Sequence, residues 1–266
     1  MAILSVDLAF RRWSDLGVVV LSRAPVRHVS STVTCEILPL APQGIADSGE
    51  RSPVDPGILA GLLNHLCAVR DIRIMMLDGP QAWKSGSNGL KHARVSERQL
   101  NTAAKTGAPG MVKPATYRAF TEFCIDVYDA LCRRGWRRLE TRPQPALPNL
   151  AGAARDRILV ESYPYAAWKS LGLNPLPAKR RARVSDLAEA YGALRAVVPF
   201  TTNRPPNHDQ LQAIVGGLPG LALEVQDSRG LRIVGTPPRR EHGHWREGFI
   251  VLPLPPQTAS SVRWLH

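Results

Sequence analysis

Four acidic residues stand where a fold could gather them. Asp7 closes the apolar run at residues 3–6, Asp78 closes the run at 72–77, Glu161 lies inside an apolar stretch (ILVES), and Asp209 opens a long helical pattern. Carboxylates brought together repel and raise one another's pKa unless a cation sits among them. Hard oxygen donors of this kind suit Mg²⁺ or Mn²⁺. Two such ions about 4 Å apart would activate a water and stabilise the leaving oxygen of a phosphodiester. Each acid also has a plainer reading. Asp7 and Asp78 can shape turns, the latter before Gly79-Pro80. Asp209 suits the positive end of a helix whatever else it does. Glu161 is costly in an apolar strand without a partner, which an Arg or Lys would serve as well as a metal.

Positioning these residues requires strands that end together. Residues 3–6 and 17–21 read as two strands, and 26–37 as a third, rich in β-branched residues. Residues 41–56 carry the Pro, Gly, Asp and Ser of an exposed connection. Asp55-Pro56 then starts a helix to about Val69, with Ile58, Leu59, Leu62, Leu63 and Leu66 at helical spacing. A buried strand at 72–77 follows. Residues 84–113 read as a mobile loop containing a short helix near 96–102. Thr116 is expected to cap a helix to about Arg134, closed by Gly135. A Pro-rich loop at 142–149 leads to a strand at 157–162. Helices are expected over 185–197 and 207–221, with short strands at 231–234 and 248–252. Three strands in succession imply an antiparallel meander, and the later ones, spaced by helices, imply parallel additions. One mixed sheet flanked by helices, spanning 1–266 as a single domain, is the economical α/β answer.

Lys and Arg total 34 against 22 Asp and Glu, giving a net charge of +12. That excess favours a polyanionic partner, nucleic acid above all. The densest basic run is Lys179, Arg180, Arg181 and Arg183, with a second at Arg133, Arg134, Arg137 and Arg138. Either could follow a phosphate backbone, or simply be a solvated surface or a partner for Glu161. Arg94 and Arg98, with Glu97 between them, could clamp substrate beside the loop after Asp78, or form a structural cluster. The four cysteines include no CxxC pair, so buried thiols in a reducing cytoplasm are expected, without structural zinc. No apolar run approaches the ~18 residues of a membrane span. His242-Gly243-His244 lacks companion ligands at metal spacing. There is no phosphate-binding GxxxxGK[ST] or GxGxxG loop, and no GxSxG or HExxH.

Taken in order, a set of segments resembles a ribonuclease H-like family of predicted nucleases, domain of unknown function family 429. They are Asp7; Leu77-Asp78-Gly79-Pro80; Arg94 to Leu100 (RVSERQL); Val160 to Trp168 (VESYPYAAW); Asn207 to Ala213 (NHDQLQA); and Glu247-Gly248-Phe249-Ile250. The resemblance covers nearly the whole chain and implies a ribonuclease H-like fold more strongly than it implies a reaction. Two departures stand out. Where that family tends to carry an Asp-Asp pair and another Asp three residues on, this chain has His208, Asp209 and Gln212. Leu8-Ala9-Phe10 follows Asp7 where related folds often place glycine. His208 could orient a water or act as a base, or be only a cap or surface residue.

The leading expectation is a divalent-metal-dependent nuclease acting on DNA or RNA, with Asp7, Asp78, Asp209 and Glu161 as metal ligands and His208 assisting. Gln212 motivates the alternative, a catalytically degenerate module of the same fold that binds nucleic acid or protein. A small-molecule enzyme on this scaffold is a third reading, since fold does not set function.

Overall fold

The apolar runs at the start of the chain pair as an antiparallel meander in the computed structural model, which describes residues 2–23, 32–40, 52–141, 156–225 and 227–255. β1 (Ala2–Asp7), β2 (Gly17–Arg23) and β3 (Val33–Ile37) are joined edge to edge, and the meander sets Asp7 opposite Gly17. α1 (Pro56–Val69) begins as expected: the Asp55 side chain accepts a hydrogen bond from the Ile58 amide at 2.8 Å, and Pro56 occupies the first turn. It delivers the chain to β4 (Ile74–Asp78), which lies parallel to β1 on the side away from β2.

Residues 84–113, read from sequence as a loop with a short helix near 96–102, hold that helix as α2 (Val95–Leu100) and also a two-stranded ladder of β5 (Lys105–Thr106) and β6 (Val112–Lys113). α3 (Arg118–Cys132) follows a short 3₁₀ turn at Ala115–Tyr117, so Thr116 is not its cap. β7 (Trp136–Arg138), too short to show a pattern of its own, pairs with the start of β8 (Arg157–Ser162), which lies parallel to β4. α4 (Pro164–Ser170) was not foreseen. α5 (Val184–Val197), β9 (Phe200–Thr202) and α6 (His208–Glu224) come next, and Asn207 caps α6 by accepting from the Gln210 amide at 3.0 Å. The last two strands are longer than expected. β10 (Leu231–Glu241) and β11 (His244–Pro253) form a hairpin whose turn is His242-Gly243, which accounts for that motif. The segments expected as loops at 41–51 and 142–149, and the start of the third strand, lie outside the described residues.

The sheet order is β10-β11-β8-β4-β1-β2-β3-β9. Within it β3-β2-β1-β4-β8, with β2 alone antiparallel, is the expected mixed sheet of an antiparallel meander with parallel additions. Both faces are covered, which is why the central strands read as unbroken apolar runs. Leu4, Val6, Met75 and Leu77 face α1 and α3. Ile3, Met76 and Val160 face α4 and α6. No helix among the described residues is long and apolar enough to cross a membrane.

Candidate functional site

Register brings the first two acids together. Asp7 and Asp78 are the last residues of β1 and β4, and they are paired directly across that parallel ladder. Gly79 is at φ +139°, and a Cβ there would come within 2.4 Å of the Cys124 sulfur, so the chain can leave the strand beside α3 only through glycine. A third acid arrives from α6. Gly17, opposite Asp7, lets the first turn of that helix rest on the sheet: a Cβ on Gly17 would lie 2.2 Å from the Asp209 carbonyl oxygen. The Ser5 hydroxyl donates to the Ala213 carbonyl at 2.7 Å and fastens the next turn.

The half-buried Asp7–Asp78 pair is poorly compensated. Burial, then the charges of Asp78 and Asp209, raise Asp7 well above the ordinary carboxylate range. Burial foremost, with Glu161 nearby, pushes Asp78 up to about 7, although its hydrogen bond with Asp7 opposes the shift. The two carboxyls therefore hold a proton between them near neutrality when no cation is present.

The other two acids are neutralised within the chain. Glu161 is 3% exposed and the guanidinium of Arg94, 1% exposed, grips it with two parallel bonds of 2.7 Å. Glu161 also accepts the Gln81 amide at 3.0 Å. Arg94 Nε turns to Glu97, which accepts the amides of Arg94 and Thr106 as well. Arg94 was read from sequence as a substrate clamp or as part of a structural cluster; here it forms the cluster, with Glu161 and Glu97 as its partners. Asp209 is 5% exposed and paired with the Lys179 ammonium, which also reaches Asp15 at 2.7 Å. Burial would lower Lys179, but its bonds to Asp15 and Asp209 outweigh that and raise it. Two of the four carboxylates expected as metal ligands, Glu161 and Asp209, thus each face a cation of the chain itself. Among the described residues no group of three or more His, Cys, Asp or Glu side chains could hold a metal ion. Two carboxylates, Asp7 and Asp78, are left for one.

His208, the first residue of α6, lies with Nδ1 3.2 Å from Asp209 and Nε2 3.0 Å from the Pro177 carbonyl. It ties α6 to the segment that carries Lys179 rather than opening onto the Asp7–Asp78 pair. Gln212 accepts the Trp168 indole N–H at 2.8 Å, so it too faces structure. Of the basic residues, Arg98, Lys179, Arg180, Arg181 and Arg183 are exposed.

A cleft of about 230 Å³ opens beside Asp78, between Gly79-Pro80 and the segment at 102–104, with Tyr117, Phe120 and Tyr163 among its walls and Arg94 and Glu161 at its base. Two features escaped the sequence. Asp15 gave no signal, being a lone surface-type acid in a turn. Glu247 is buried and organises the 85–95 segment by accepting from the amides of Ser85 at 2.9 Å and Val95 at 2.8 Å and from Asn88 at 2.6 Å. Its place in the EGFI segment was the only sign of it.

No protein-family model matches the chain, and no curated protein does either. Among solved structures, the Thermus thermophilus RuvC structure is similar at a TM-score of 0.38 and 11% identity, over 85% of this chain and 96% of that one.

Proposed function

We propose that this protein is a divalent-metal-dependent enzyme that cleaves phosphodiester bonds in DNA or RNA, of the kind implied by its resemblance to domain of unknown function family 429. The observation that carries the reading is the Asp7–Asp78 pair, two carboxylates in register at adjacent strand ends and left to share a proton. Such a pair fits one hard cation, Mg²⁺ or Mn²⁺, with oxygen ligands. When bound, the ion would supply a more acidic water and an electrostatic partner for a phosphate oxygen.

The rest of the chain would bind and orient. Exposed Arg180, Arg181, Arg183 and Arg98 offer charge to a phosphate backbone. The aromatic walls of the adjoining cleft offer a face to an unpaired base. The four cysteines are free thiols, which accords with a reducing cytoplasm as the place of action.

The test is cleavage of labelled single- and double-stranded DNA and RNA with Mg²⁺ or Mn²⁺, wild type beside Asp7→Asn and Asp78→Asn. Activity in the wild type, lost in both folded variants and in chelator, is expected. Wild-type rates in both variants would sink the assignment. The neutralisation of Glu161 and Asp209 by Arg94 and Lys179 favours a second reading, a degenerate module that binds nucleic acid or protein without cutting. Salt-dependent binding with no cleavage in any metal would select it.

A further inference from the structure

Two-ion phosphodiester sites need carboxylates enough to hold both cations. In this cluster the half nearest α6 already contains a cation. The Lys179 ammonium lies between Asp209, in the first turn of α6, and Asp15, at the end of the Trp13–Asp15 turn that precedes β2. Its charge also reaches Asp7 and opposes the rise in that residue's pKa. Three donors on one ammonium suit two carboxylates.

The position of Lys179 is built. His208 Nε2 meets the Pro177 carbonyl two residues before it, and the same imidazole lies against Asp209. Asp209 is itself fixed by the close seat of α6 on Gly17. One further side chain on the next turn of α6 could have enlarged the carboxylate set, and it is Gln212, spent on Trp168. On the far side, Arg94 neutralises Glu161.

We propose that Lys179 is a built-in cation that holds the place of a second divalent ion, so that the cluster takes one metal ion, at Asp7 and Asp78, and never two. This rests on the metal-dependent reading above and makes it narrower: charge on the α6 side would come from the chain rather than from solution.

The experiment counts Mn²⁺ bound per chain, by calorimetry and by the loss of free-Mn²⁺ paramagnetic resonance signal, for wild type, Lys179→Met, Lys179→Arg and Lys179→Met with Asp209→Asn. One ion is expected in the wild type and in Lys179→Arg. Lys179→Met keeps the aliphatic stem but frees Asp209 and Asp15, and its count is expected to rise to two. Removing Asp209 as well should return it to one. A count of two in the wild type overturns the proposal without any variant. So does a count other than two in a Lys179→Met protein whose circular dichroism matches the wild type. Absence of Mn²⁺ from wild type and Lys179→Met alike would instead defeat the metal-dependent reading itself, and this inference with it.

Discussion

Glu161 and Asp78 lie on neighbouring strands, one register step apart, and the protein treats their charges in opposite ways. Glu161 is sealed from water and supplied with a bidentate guanidinium and a backbone amide. Asp78 is left half-buried against a second carboxylate, Asp7, and burial raises it although its hydrogen bond with Asp7 opposes the shift. The buried Arg94–Glu97–Glu161 network has every charge answered by the chain and holds the 94–106 segment to the sheet. The Asp7–Asp78 pair has a charge left to be answered from outside. Satisfied acids build the scaffold, and the unsatisfied pair is where an external cation would be rewarded with binding free energy.

The contrast can be broken most severely at Arg94. Arg94→Met strands two buried carboxylates, and a destabilisation of about 3–5 kcal/mol is expected in urea unfolding at neutral pH. A loss below about 1 kcal/mol would mean that Glu161 does not depend on it. Next in size is the effect of a cation on the other cluster. Mn²⁺ at a hundredfold excess over its Kd should stabilise the wild type by about 2.7 kcal/mol. Thermal unfolding in the presence and absence of the ion checks this, and Asp7→Asn should abolish the shift.

A third effect sharpens the comparison by removing the buried charge at Asp78. Asp78 is raised to about 7 in the folded state, against about 3.9 in an unfolded chain. Its protonation therefore favours folding fully below about pH 4, and that contribution is lost as pH rises through 7. In chelator, Asp78→Asn should be more stable than wild type above pH 7. The gain should shrink between pH 7 and 4 and vanish below it. A gain independent of pH would show that the buried charge of Asp78 is not its source. The smallest effect is expected where charges are answered by solvent as well. Arg137 pairs with Asp156 at 3.1 Å and Glu140 at 3.2 Å on the surface, and Arg137→Ala should change unfolding free energy by less than about 0.5 kcal/mol.

Much of this architecture was legible in the residues. The β-branched runs, the Asp55-Pro56 start and the helix from about residue 207 are local signals, decided within a few positions of the chain. Asp7 and Asp78 were also readable, because an acid closing an apolar strand sits at a sheet edge whichever strands are neighbours. The short elements were not. β7 and β9 are three residues each, and they are strands only because β8 and β3 supply the hydrogen bonds. α4 begins at Pro164, where VESYPYAAW reads as easily as an extended segment.

What the chain determined by itself, then, is the alternation of apolar strands and amphipathic helices, the placement of acids at strand ends, and a basic surface, since each follows from side-chain chemistry and periodicity. Which acid meets which cation was settled only in three dimensions. Arg94 lies 67 positions from Glu161, and Lys179 lies 30 from Asp209 and 164 from Asp15. Pairing across such separations depends on strand register and helix seating, which no local pattern encodes, so the same carboxylate type became scaffold in one case and candidate site in the other.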